Sequence, residues 1–337
     1  MRVERVYTHH RCNQACTFCT YRRPSDEPGF ARTAAVRERI AAAIRGGASE
    51  IVLTGGEPAM RTDLVELIRF AAQAGAAVTL ETNATLIDLQ RARDLREAGL
   101  KRARVHVIGD GPEPEEVSQD PGGSARTWVG LRALVDAGVA VTPVTVLTQA
   151  TQHLLPLLPA ALARVVDPSA LAAIEVVVPS DLPRTAAAPS VDLGPAELAA
   201  ALQRVDDEAK RLGLSVCLAP ASGPPPCAFE HHGRIAHLYA LSPGGAVRAD
   251  HRRVAACSDC LVADRCPGWP QHLAKRAAAI PLFPVQNERL RRRLSVIDSV
   301  QSQVERELVV ANFLNTSNLS VSERAAGLQR EHLIRVI

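Results

Sequence analysis

The chain has 337 residues, 47% apolar and 22% charged, enough for one barrel-sized domain plus a smaller one. With 39 Lys and Arg against 36 Asp and Glu, its formal net charge of +3 is too balanced for a nucleic-acid binder. Eight cysteines, and no cationic, apolar export signal in "MRVERVYTHH" (1–10), point to a reducing cytoplasmic setting, where clustered cysteines are metal ligands more often than disulfides.

Along the first two thirds, short apolar runs alternate with amphipathic stretches. Strands are predicted at 3–7, 50–54, 77–82, 104–108, 139–147, 174–179 and 215–218. Helices are predicted at 34–45, 63–74, 89–98, 125–137, 153–163 and 195–212. Gly46, Gly75, Gly99, Gly138 and Gly213 stand at helix ends, where glycine tolerates the left-handed stop. The stretch 137–163 lacks charge and raises the membrane question. Pro143, Pro156 and Pro159, with polar residues between them, read instead as a strand and a helix. The alternation predicts an α/β fold, a parallel sheet closing partly into a (β/α)6 TIM-like barrel. Its site belongs at the C-terminal strand ends.

After residue 220 the pattern changes. "SGPPPC" (222–227) reads as a linker, and 234–251 as a hairpin turning at Pro-Gly-Gly. "CSDCLVADRCPG" (257–268) is a second cysteine cluster, and a charged amphipathic helix is predicted from 283 to 310. The polar segment 315–337 reads as a further helix. The predicted division is 1–220, 221–282 and 283–337.

Three unusual loops follow the first three strands: "CNQACTFC" (12–19), "TGGEP" (54–58) and "ETNATL" (81–86). Thiolates are soft ligands that suit iron–sulfur clusters and zinc alike. A four-iron cluster normally takes one cysteine per iron, so Cys12, Cys16 and Cys19 leave one iron open to a small molecule. A partial zinc site is the other reading of three cysteines.

The spacing C-x3-C-x2-C after a first strand resembles the signature of radical SAM enzymes. The resemblance covers roughly residues 1–220. It implies that Cys12, Cys16 and Cys19 hold a [4Fe-4S] cluster whose open iron binds S-adenosylmethionine. It also implies reductive cleavage to a 5′-deoxyadenosyl radical, which abstracts hydrogen from a substrate. Phe18 then stands at the aromatic position beside adenine. Gly55, Gly56 and Glu57 match the motif that receives the methionine amino group, where glycines allow close approach and a carboxylate suits an ammonium. Thr82 and Asn83 match a third-strand motif near the ligand. His106 falls where many relatives carry a ribose-binding Ser or Asp; an interior histidine is its other reading.

Cys257, Cys260 and Cys266 resemble a shortened SPASM or twitch extension, which implies an auxiliary [4Fe-4S] cluster. Pro270 stands where a fourth cysteine of that pattern would be. Cys227 is the best fourth ligand, with Asp250, His251 or a substrate as alternatives. Four thiolates suit zinc equally well.

Enzymes with such extensions often modify ribosomally made peptides, while others act on sugars or cofactor precursors. The expected partners are an electron donor such as flavodoxin or ferredoxin, a peptide or small-molecule substrate and a separate peptide-recognition protein, since the sequence opens at the first strand. No membrane or nucleic-acid partner is expected. No acid, base or radical-quenching residue stands out among Tyr21, Tyr239 and the loop histidines. His9, His10, His231 and His232 read as surface residues, and Cys217 as an inert core cysteine.

Overall fold

A computed structural model of the chain describes residues 2–19, 31–179, 193–219, 223–239, 241, 248, 250–277 and 280–294. The chain forms two compact units, Met1–Leu193 with Arg204–Ser215, and Gly194–Gln203 with Val216–Ile337. No helix among the described residues is long and apolar enough to cross a membrane.

The first unit alternates strands and helices: β1 (Val3–Tyr7), α1 (Thr33–Arg45), β2 (Glu50–Thr54), α2 (Leu64–Gln73), β3 (Ala77–Thr82), α3 (Leu89–Glu97), β4 (Leu100–His106), α4 (Pro112–Ser118), α5 (Gly123–Asp136), β5 (Ala140–Val146), α6 (Leu158–Val165) and β6 (Ile174–Val177). The strands pair in chain order, every pair parallel. All five residues of β2 are buried, as a parallel strand covered on both faces requires. Leu64, Leu67, Ile68 and Ala71 make the apolar stripe of α2 at helical spacing. Next in the chain comes α7 (Pro195–Arg211).

The predicted α/β alternation and the first three strands are present at their expected bounds. Strand β4 begins at Leu100, not at residue 104. Lys101, Arg102 and Arg104 disguise it, because alternate residues here meet carboxylates: Arg102 pairs with Glu50 (3.2 Å), and Arg104 with Glu81 (3.1 Å) and Glu175 (2.6 Å). Helix α4 is also unexpected, although Pro112 in its first turn with Glu113 and Glu115 is a start signal. Gly75, Gly99, Gly138 and Gly213 take positive φ as expected, but the first helix turns at Gly47 (φ 88°) rather than Gly46 (φ −74°).

The second unit holds β7 (Val216–Leu218), α8 (His232–Ile235), β8 (His251–Arg252), β9 (Trp269–Pro270), α9 (Gln271–Ala277) and α10 (Glu288–Arg293). The expected hairpin at 234–251 is replaced at its start by helical turns over residues 232–238. Its tip at 242–247 lies outside the described residues. His251 and Arg252 instead pair antiparallel with Pro270 and Trp269, so the short ladder brackets the cysteines at 257–266. Of the helix expected at 283–310, α10 is the described part; residues from 295 onward, with the segment 315–337, lie outside.

Candidate functional site

A cavity of about 500 Å³ opens in the first unit, within the range of small-molecule sites. Cys12, Cys16 and Cys19 line it, with Phe18, Gly55, Gly56, Glu57, Thr82, Asn83 and His106. The three strand-end loops singled out in the sequence therefore meet around one space.

The cysteine loop is held by its backbone. Ala15 N–H donates to Ser118 O (2.9 Å) and Thr17 N–H to Val117 O (2.9 Å), using carbonyls that the end of α4 leaves free. Gln14 Nε2 donates to Asp120 (3.2 Å), which Arg126 also holds at 2.5 Å. Cys12 Sγ accepts N–H groups from Gln14 (3.4 Å) and from the Asn83 side chain (3.8 Å). Burial pushes the Cys12 thiol up to about 11, so the bare loop favours the neutral form.

Gly55 and Gly56 are required by the protein's own packing. A Cβ on Gly56 would lie 1.8 Å from Arg11 O, and one on Gly55 2.2 Å from His9 O. That space is filled by the cysteine loop, which accepts Gly56 N–H at His9 O (2.9 Å) and Glu57 N–H at Arg11 O (2.8 Å). His9 is consequently buried, at 2% exposure, and not a surface residue. Burial foremost, then Arg61, lowers its pKa to about 4. His10 and His231 are exposed, and His232 is half-buried.

The Glu57 carboxylate is buried and engaged on both oxygens. Oε1 accepts from Ala59 N–H (2.8 Å) and Thr82 Oγ1 (2.6 Å), and Oε2 from Asn83 N–H (2.6 Å). Burial pushes its pKa up against these hydrogen bonds. Asn83 Oδ1 in turn accepts from Thr85 N–H (3.0 Å), and Asn83 Nδ2 donates to Asn13 (3.0 Å).

Sequence reasoning missed the charged wall of this cavity. Arg5, Glu81 and Arg104 line it, with Arg5 3.0 Å from Glu81. Burial opposes ionisation of Glu81, but Arg104 and other neighbours outweigh it and lower its pKa. Arg102, Arg104 and His106 alternate along β4, a period-two signal that was present. Burial lowers the His106 pKa and keeps the ring neutral, and no described residue hydrogen-bonds to it. Its nitrogens are available to a ligand in the cavity.

In the second unit, Cys227, Cys257, Cys260 and Cys266 line one cavity with Pro225, Pro226, Val262 and Trp269. Asp250 and His251 do not line it; Asp250 is held by Arg248 (2.9 Å) and contacts His251 (3.1 Å). Burial raises the Cys227 thiol to about 12 and Cys266 to about 11, with the neighbouring cysteines adding to both. Among the described residues, no three Cys, His, Asp or Glu side chains approach as a single ion requires. Tetrahedral zinc would need sulfurs about 3.8 Å apart. Four thiols around one space are the donor set of a [4Fe-4S] cluster as well as of zinc. Tyr239 spends its hydroxyl on Pro224 O (2.7 Å), Cys217 is buried on β7, and Tyr21 lies outside the described residues.

The model of the Radical SAM superfamily matches residues 6–151. An AdoMet-dependent heme synthase of Oleidesulfovibrio alaskensis is 37% identical over 132 residues, 38% of this chain and 34% of that protein. A PqqA peptide cyclase of Rhodopseudomonas palustris is 29% identical over 149 residues, 44% of this chain and 40% of that protein. The chain thus spans well under half the length of these relatives. The fold resembles Streptococcus suis SuiB, solved with S-adenosylmethionine (TM-score 0.57, 13% identity, 80% of this chain and 72% of that one) and with the precursor peptide SuiA (0.50, 14%, 65% and 48%). The cavity that gathers Cys12, Cys16 and Cys19 lies within strands and loops that the superfamily model largely covers, and residues 6–151 are similar to a radical SAM domain.

Proposed function

We propose that the chain is a radical SAM enzyme of the cytoplasm that modifies a ribosomally made peptide or related natural product. The observation that carries the enzyme reading is the convergence of Cys12, Cys16 and Cys19 with the Gly55–Gly56–Glu57 and Thr82–Asn83 loops on one cavity. The three cysteines would hold a [4Fe-4S] cluster with one iron left for S-adenosylmethionine. When bound, the pair supplies a one-electron cleavage that yields a 5′-deoxyadenosyl radical for hydrogen abstraction.

The protein's own residues orient and enclose. Phe18 stands by the adenine and His106 offers neutral nitrogens toward the ribose. Backbone groups of the Gly55–Gly56 turn are suited to the methionine amino group, because the Glu57 carboxylate is engaged in holding Thr82 and Asn83. Cys227, Cys257, Cys260 and Cys266 would hold an auxiliary [4Fe-4S] cluster through their four thiolates, within a unit spanning roughly 221–282. A flavodoxin or ferredoxin supplies electrons, and a separate protein presents the peptide. The peptide reading is supported by the likeness to a protein named PqqA peptide cyclase and to SuiB, solved with a precursor peptide. The heme synthase likeness favours a small metabolite as the second reading.

The test is anaerobic reconstitution, reduction and incubation with S-adenosylmethionine. Release of 5′-deoxyadenosine, lost in Cys16→Ala and kept in Cys217→Ala, is expected; none above background from a protein with intact clusters refutes the enzyme. A short precursor reading frame beside the gene, whose product gains a mass change on incubation, selects the peptide over the metabolite.

A further inference from the structure

Trp269 carries a buried polar atom for which the described residues provide no hydrogen bond of good geometry. Its side chain is fully buried, at 0% exposure, and its indole nitrogen faces the Cys227 sulfur. Indole N–H is a donor only and cannot be satisfied by any other donor. Trp269 lines the cavity of Cys227, Cys257, Cys260 and Cys266, so its acceptor is sulfur that lines or fills that cavity. Trp128 also has a buried, unpartnered indole nitrogen, but it lines neither cysteine cavity.

The backbone fixes Trp269 in this position. It pairs with Arg252 in the β8–β9 ladder, and Gln271, two residues on, donates its N–H to Asp250 O (2.8 Å). Gly268, just before it, has φ 92°, and a Cβ there would lie 2.6 Å from Arg252 O. That turn also aims Gly268 N–H at Cys266 Sγ (3.4 Å). The Cys227 backbone is pinned in turn by Phe283 N–H on its carbonyl (2.9 Å). Apart from Arg253, the remaining lining is largely apolar, so N–H groups are few among the stabilisers of negative sulfur here.

We propose that Trp269 Nε1–H donates a hydrogen bond to sulfur, either the Cys227 thiolate or an inorganic sulfide, of the group bound by the four cysteines, and thereby raises its reduction potential. The inference rests on the auxiliary-cluster reading. Donation stabilises the more negative, reduced state more than the oxidised one, and hydrogen bonds to sulfur are a recognised control on such potentials. Trp269 acts through the cluster and is a positioning residue.

The experiment is a potentiometric titration of reconstituted wild type and Trp269→Phe, followed by electron paramagnetic resonance. Phenylalanine keeps an aromatic ring and removes the N–H. The expected result is one signal with a lower midpoint, its reduced-to-oxidised ratio falling several-fold at fixed potential, while the Cys12–Cys16–Cys19 signal stays unmoved. No shift, with wild-type iron, overturns the hydrogen bond alone. Only about four irons per wild-type chain, rather than about eight, overturns the auxiliary cluster and this inference together. Should Trp269→Phe fail to fold, ultraviolet resonance Raman on Trp128→Phe reads the remaining indole directly. Its hydrogen-bond marker band should shift on cluster loading, and an unchanged band overturns the proposal.

Discussion

Asn83 N–H donates to Glu57 Oε2 at 2.6 Å, joining the loop after β2 to the loop after β3. The same Asn83 reaches Asn13 (3.0 Å) and the Cys12 sulfur (3.8 Å) through its side chain. One buried carboxylate thus organises the loop that touches the Cys12 sulfur. Glu57→Gln places an amide where both oxygens now accept, and one N–H is left facing another donor. A loss of about 1–3 kcal/mol is expected, measured by urea unfolding of the metal-free protein, with weaker binding of S-adenosylmethionine in the loaded form.

Gly56→Ala should separate the two cysteine sites. The added Cβ would meet Arg11 O at 1.8 Å, and the obstruction is backbone that cannot rotate away. The cysteine loop must therefore shift, while the second cavity is built from other residues. On the two-cluster proposal, iron after reconstitution should fall from about eight to about four per chain. Gly46→Ala is the control: its φ of −74° suits alanine, and its nearest approach is 3.2 Å.

His9 makes stability depend on pH. Its folded pKa of about 4 lies below the unfolded 6.5. Between those values the unfolded chain binds the extra proton, so stability rises with pH across that window and levels off above it. Acidification from about pH 7 to about pH 4 should cost about 2 to 3 kcal/mol through this residue. His9→Gln should flatten that part of the profile, read from denaturant midpoints at each pH.

Much of this site was legible because it follows strand ends. The apolar runs of β1, β2 and β3 gave their own boundaries, and the unusual loops come directly after them. Burial of His9 was not legible, since it depends on a neighbouring loop whose Gly56 N–H donates to its carbonyl and whose missing Cβ atoms let the two backbones approach. The start of β4 was hidden because its alternate residues face carboxylates on other strands, so charge replaced the expected apolar signal. Trp269 gave no local sign either: its place beside Cys227 arises from a two-residue ladder that spans the sixteen residues between Arg252 and Trp269.

The third loop stores a small strain that Gly130 must accommodate. Ala84 has φ 59°, and a Cβ on Gly130 would lie 2.0 Å from Ala84 O. Ala84→Gly relieves about 1 kcal/mol of left-handed strain but loses a buried methyl and gains chain entropy worth about as much. Near-neutral stability is expected. Gly130→Ala forces α5 and the loop apart and should cost more than about 2 kcal/mol, disturbing the Thr127 hydrogen bond to Asn83 O (3.0 Å) as well. Thermal unfolding of both variants checks the contrast.

Arg104 stands between Glu81 (3.1 Å) and Glu175 (2.6 Å), whose side chains are 13% and 12% exposed. Arg104→Leu leaves two nearly buried carboxylates short of their shared cation, with Arg5 still beside Glu81. A loss of about 3–5 kcal/mol near pH 7 is expected. Glu81 has a lowered folded pKa in the wild type, so its pairing contributes above the unfolded value and is lost as pH falls through the folded one. Glu175 is shifted upward by burial despite Arg104, and takes up its proton sooner. Without the guanidinium both carboxylates protonate more readily, and a neutral carboxyl is cheaper to bury than an unpaired charge. The variant's deficit should therefore shrink as pH falls toward about 4. Urea unfolding of both proteins at the two pH values measures it; a deficit unchanged by acid would mean that Arg104 stabilises the wall by packing alone.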